Sequence, residues 1–270
     1  VDRTIDARAD GHVHVANTSG SVTVNGWSRD QVEVKGELGR NVEELIFESN
    51  GDGVRIHVKV PKNGGRGIAS DLYIQVPQSS SLDVATVSAD IDITNVRGDQ
   101  KLETVSGDID TETYESDVAA NVVSGDIEIR GEGKDTETRV GTVSGDLELS
   151  GIAGVIEGGT VTGDLVIDDG SFDRAALGTV NGEVIFRSEL RDGGTLEVEA
   201  VNGEIILQFQ GDISGRFEFG TLNGDIDNCF GPEPKRTSKY TPGWNLRFQE
   251  GDGDARVSGS TVNGDISICR

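Results

Sequence analysis

A carboxylate stands directly after the glycine of a phrase found nine times, as in "TVSGDI" or "TVNGDI", with Ala89 in the glycine's place in the first copy. The acids are Asp90, Asp108, Asp126, Asp146, Asp164, Glu183, Glu204, Asp225 and Asp265. Carboxylates are the ligands that calcium prefers. If the copies stack at the ~4.8 Å spacing of paired strands, Asp108, Asp126, Asp146 and Asp164 are candidate ligands for Ca2+ bridging. The competing reading is electrostatic relief. Unit charges that close repel by about 1 kcal/mol in water, and backbone hydrogen bonds, splaying and salt can absorb it.

Other reactive side chains are sparse. His12, His14 and His57 are the only histidines, and none falls in the repeats. A Ser–His or Cys–His nucleophile therefore has no place there. His12 and His14 share one strand face at a spacing that suits two metal ligands, but an exposed strand face explains them as well. Carboxylate pairs of the kind glycosidases use are abundant, and no pair stands out. Cys229 and Cys269 each lie five residues after a phrase glycine. With a whole repeat between them the sulfurs would be ~10 Å apart. If residues 230–250 are instead an excursion, the two repeats stack directly and the Cα atoms lie within disulfide range. Free thiols and links between subunits are the alternatives.

Lys and Arg number 24 against 48 Asp and Glu, a net charge of −24. That excludes a phosphate-binding footprint, and hence nucleic acid as partner, and disfavours anionic membranes. No apolar stretch reaches the length of a transmembrane helix. A chain that begins at Val1 fits signal-peptide removal, and two cysteines fit one disulfide in an oxidising compartment. The expected location is extracytoplasmic: periplasm, cell surface or secreted.

The elements that must position these groups follow from the repeat. The phrase glycines recur every 18–21 residues until a last step of 40. Apolar residues fill 25 of the 27 places two before, two after and four after the glycine, a period-2 strand signal. One short strand cannot bury its face alone, whereas stacked copies in equal register can. The predicted class is all-β, a parallel β-solenoid over 81–270 with about nine coils and an insertion at 230–250. Right-handed crossovers are the rule for parallel strands. Residues 1–80 read as an irregular N-terminal β cap, with "SGSVTV" at Ser19 echoing the phrase. Counting by twos through the glycine places Val87, Val105, Val123 and their equivalents inward. It places Val166, Ile185 and Ile206 outward as an apolar stripe. Tyr240, Trp244 and Phe248 of the insertion are the expected cover for it.

The features "SGSVTVNGW" (19–27), "LYIQVP" (72–77), the phrase series and the closing "YTPGW…GDGDARVSGSTVNGDISI" resemble a bacterial "putative adhesin" β-strand-repeat family. That family is akin to the head domains of autotransporter adhesins. The resemblance spans the chain and implies a β-solenoid outside the cytoplasm, with no catalytic residues. The expected function is a non-enzymatic adhesin, envelope scaffold or self-assembling fibre subunit. Its partner would be a second copy or a cell-surface component. The rival is a carbohydrate-active β-helix enzyme or a calcium-dependent polysaccharide-binding module.

Overall fold

A computed structural model describes residues 1–51, 53–62, 65–238 and 242–270. Every regular element among them is a strand, and the ladders are mostly parallel. The chain divides into two compact units, Val1–Ile129 and Arg130–Arg270.

The first unit holds β1 (Asp2–Asp6), β2 (His12–Trp27), β3 (Gln31–Glu37), β4 (Glu44–Ser49), β5 (Gly53–Lys59) and β6 (Ser70–Pro77). It continues through β7 (Ser81–Thr94), β8 (Gln100–Ser106), β9 (Ile109–Thr113), β10 (Val118–Ser124) and the start of β11 (Ile127–Gly131). The echo at Ser19 is structural: β2 runs parallel to β7 with Gly20 opposite Ala89 and Val22 opposite Ile91. On its other side β2 pairs with β5 and then β6, which together make one further rung. The compact unit therefore runs through residue 80 without a break. Antiparallel strands close its outer edge, with β4 against β5, β3 against β6 and β1 against β3. Arg3 seals part of that edge by donating to the carbonyls of Leu45 and Phe47, both at 3.3 Å. An edge whose acceptors are occupied is a poor template for another chain.

The second unit holds β12 (Asp135–Ser144), β13 (Leu147–Ser150), β14 (Ala153–Thr162), β15 (Leu165–Asn181), β16 (Val184–Asn202) and β17 (Ile205–Phe209). These are followed by β18 (Gly215–Asn223), β19 (Ile226–Asn228), β20 (Lys235–Arg236), β21 (Trp244–Glu250), β22 (Ala255–Asn263) and β23 (Ile266–Cys269). Its stacking order departs from chain order. The last rung, β22–β23, pairs with β16–β17 on one side and β18–β19 on the other. The chain thus leaves a gap, builds the outer rung, and returns to fill it. Against that outer rung lies β21, antiparallel to β18.

The core is aliphatic, with Ile91, Ile109 and Ile127 in the first unit and Leu147, Leu165, Val184, Ile205, Ile226 and Ile266 in the second, all buried. Towards the end of the second unit it turns aromatic, through Phe172, Phe186, Phe209 and Phe217 at 5.8–6.0 Å between ring centres. Phe248 of β21 stacks flat on Phe217 at 4.6 Å. This contact and the buried Leu246 make the insertion a lid on the end of the stack.

Candidate functional site

The repeated corner is the most elaborated local structure. The phrase glycines Gly107, Gly125, Gly145, Gly163, Gly182, Gly224 and Gly264 take φ from 145° to 158°, a region that favours glycine. A Cβ on Gly264 would also run into the carbonyl of Gly203 on the neighbouring rung. Ala89 has no positive φ, is buried, and lies within the unbroken β7.

This corner overturns one expectation. Alternation does not pass through the glycine: the residue three before it is inward, and the next four residues turn away from the core. In the first unit Val87, Val105 and Val123 are each 48% exposed. In the second, Val143, Val161, Val180, Val201, Val262 and Leu222 are exposed by 38–51%. The inward place belongs to Thr86, Thr104, Val122, Thr142, Thr160, Thr179, Ala200, Thr221 and Thr261, all buried. Buried hydroxyls need partners. Thr160 donates to the Gly145 carbonyl at 3.1 Å, Thr179 to Gly163 at 3.2 Å, Thr261 to Gly203 at 3.1 Å and Thr221 to Gly264 at 3.0 Å. The phase slips by one residue because the corner consumes four outward positions between inward ones.

The acid column has a structural task at the same corner. Asp90 accepts the backbone N–H of Asp108 at 3.1 Å, and Asp108 that of Asp126 at 2.9 Å. In the second unit Asp146 accepts from Asp164, Asp164 from Glu183 and Asp265 from Asp225, each at 2.8 Å. Among the described residues no three His, Cys, Asp or Glu side chains converge to hold a metal ion. Of the four candidate calcium ligands, Asp108, Asp146 and Asp164 accept a backbone N–H of the next rung, and Asp126 donates its own N–H to Asp108. Beside them an amide ladder runs from Asn223 to Asn263 at 2.9 Å, Asn263 to Asn202 at 2.8 Å and Asn202 to Asn181 at 3.0 Å.

Three further groups of sequence-derived positions can be placed. Val166, Ile185 and Ile206 stand opposite one another in the ladder and are half-buried. The insertion pairs with β18 rather than crossing that face: Phe248 reaches Phe217 and Phe230, and Trp244 lies under the Arg236 guanidinium at 4.9 Å. Tyr240 lies outside the described residues. Cys229 and Cys269 form a disulfide with Cα atoms 5.0 Å apart, which ties the outer rung to the intercalated one.

His12 and His14 engage β7. His12 Nδ1 lies 2.9 Å from Ser81 Oγ, and His14 Nδ1 lies 3.4 Å from Asp83. Burial, and then the charge of Arg55, hold the His57 pKa below the ordinary imidazole value. Asp92 is pushed up, by burial first and then by Asp110 and Asp90.

The family follows from comparison with known proteins. Residues 5–152 match the Toastrack DUF4097 family model, more than half of the chain, and the protein belongs to that family. No curated protein matches it. Similar solved structures include a "putative adhesin" from Bacteroides fragilis, 11% identical over 99% of this chain and 96% of that one, with a TM-score of 0.40. Another is a "putative adhesin" from Parabacteroides merdae, 10% identical over 99% and 95%, TM-score 0.39. A third, from Parabacteroides distasonis, bears the name "putative lipid binding protein"; it is 14% identical over 99% and 96%, TM-score 0.39. At such scores none of the three bears on function. No helix among the described residues is long and apolar enough to cross a membrane.

Proposed function

We propose that this protein is a non-enzymatic, extracytoplasmic module, a right-handed β-solenoid that works through its lateral surface as an adhesin or envelope scaffold. The carrying observation is the exposed apolar place two before each glycine. Nine of nine copies keep Val or Leu there, although the flanking exposed places are polar. Exposed apolar residues in series cost solubility and are characteristic of contact surfaces. The closed strand edges favour lateral contact over end-to-end fibre growth: Arg3 covers part of one, and β21 lies on another. The disulfide fits an oxidising compartment.

The test is a triple exchange, Val143→Thr, Val161→Thr and Val180→Thr, which keeps β-branching and removes apolar surface. Beads coated with the variant should lose adhesion to envelope preparations of the source cells while melting stays near that of the parent. Adhesion equal to the parent's would sink this reading.

A further inference from the structure

Tyr73 carries the one exposed aromatic ring among the described residues, 58% open to solvent. The chain covers its other partly open rings. Trp27, Tyr114, Phe230 and Trp244 each lie under an arginine guanidinium, 4.8–5.2 Å from the ring centre. No cation, ring contact or hydrogen bond engages the Tyr73 side chain among the described residues. A bare aromatic plane with a polar tip is the kind of group that anchors contact surfaces.

The ring stands in the middle of an outward sheet face of the first unit. Tyr73 on β6 lies opposite Thr23 of β2 on one side and Lys35 of β3 on the other. Its chain neighbours Leu72 and Ile74 are buried, so alternation holds Tyr73 and Gln75 outward. Neighbouring strands are ~4.8 Å apart, and the next outward residue is ~6.7 Å along the strand. Thr23 and Gln75 are therefore within reach of a single ligand resting on the ring.

The other polar groups nearby are already matched. Lys35 pairs with Glu33 at 2.8 Å, Ser21 donates to Asp71 at 3.0 Å, and the Asn25 oxygen accepts from Thr94 and Asn95. The Thr23 hydroxyl and the Gln75 amide have no side-chain hydrogen bond among the described residues. What the face offers is an aromatic plane, a hydroxyl and a neutral amide.

We infer that this face binds a neutral glycan through one β-gluco-configured pyranose stacked on Tyr73. Such a ring carries its C–H bonds axially and its hydroxyls equatorially. Its flat apolar side rests on the aromatic plane, while hydroxyls reach sideways to Thr23 and Gln75. An anionic glycan would meet Asp71, Asp92 and Glu33, with the nearest lysine already paired. A lipid chain would find one ring set among polar groups. The face makes no use of the exposed valine row, so its failure leaves the lateral reading intact.

Saturation-transfer NMR on the full chain with cellopentaose tests the assignment. Millimolar cellopentaose should receive transfer, strongest at its ring C–H protons, and keep it in high salt. Tyr73→Thr, which preserves strand propensity, should weaken binding about fivefold or more. Tyr73→Phe should retain most of it, and Gln75→Ala should weaken it measurably. All three positions face outward, and circular dichroism should show the parent fold. The Val143, Val161 and Val180 exchange should leave glycan binding unchanged. Several results would each overturn the proposal: no transfer from cellopentaose, undiminished binding to Tyr73→Thr or Gln75→Ala, or loss of binding in salt. So would equal transfer from β-1,4-galactopentaose, whose axial oxygens break the flat face.

Discussion

Asn263 donates its side-chain amide to Asn202 at 2.8 Å, although 61 residues separate them in the chain. The bond records the return of the last rung into the gap between β16 and β18. The outer rung and its lid therefore rest on the last residues of the chain. Gly264 sits at a tight point of that rung, with φ 158° and the Gly203 carbonyl where a Cβ would go. Gly264→Ala should cost about 2–4 kcal/mol, in the range of overpacking and backbone strain. Urea unfolding measures it. A cost within ~0.5 kcal/mol, the range of an ordinary surface change, would mean that the rung is loosely held.

The Cys229–Cys269 bond closes a 40-residue separation across two adjacent rungs. In the chain-entropy model, removing it by a Cys229→Ser, Cys269→Ser exchange should lower stability by roughly 4 kcal/mol. Peptide mapping without reduction should recover the two cysteines as one linked species. Two separate alkylated peptides would contradict the link.

Backbone donors already occupy Asp90, Asp108, Asp146, Asp164 and Asp265, and no three ligands converge among the described residues. Calcium and magnesium at equal ionic strength should therefore raise the melting temperature equally, through screening alone. A rise selective for calcium would restore bridging through Asp108, Asp126, Asp146 and Asp164.

Asp92 stands opposite Asp110 on one flank and Thr23 on the other. Its pKa is raised in the folded state by burial, Asp110 and Asp90. The folded chain then holds this proton more tightly than the unfolded one, so stability falls as pH rises from the ordinary carboxylate pKa through the raised value. Asp92→Asn should melt higher than the parent at neutral pH, on the order of 1–2 °C. The difference should vanish at pH values below the ordinary carboxylate range. A gain that persists in acid would locate the effect elsewhere.

The strand class, the parallel register and the buried places two and, in most copies, four after the glycine were legible in the sequence. Apolar residues at a fixed phase in copy after copy can be buried only by stacking. The glycine and the acid were legible as architecture for the same reason: a corner needs a permissive backbone and an acceptor for the next rung. The facing of the valines was not legible. A period-2 count carries no information about a corner that uses four outward residues, and the buried threonine looks polar until its acceptor on the next rung is seen. The stacking of the last repeat on the Gly224 rung was legible from the cysteine spacing, but its insertion against β16–β17 was not. The phrase around Gly264 fits any rung equally well, and local pattern cannot say between which neighbours it lies. Long-range contacts decided that: the aromatic stack of Phe248 on Phe217, the amide ladder through Asn263, and the disulfide that joins the two final rungs.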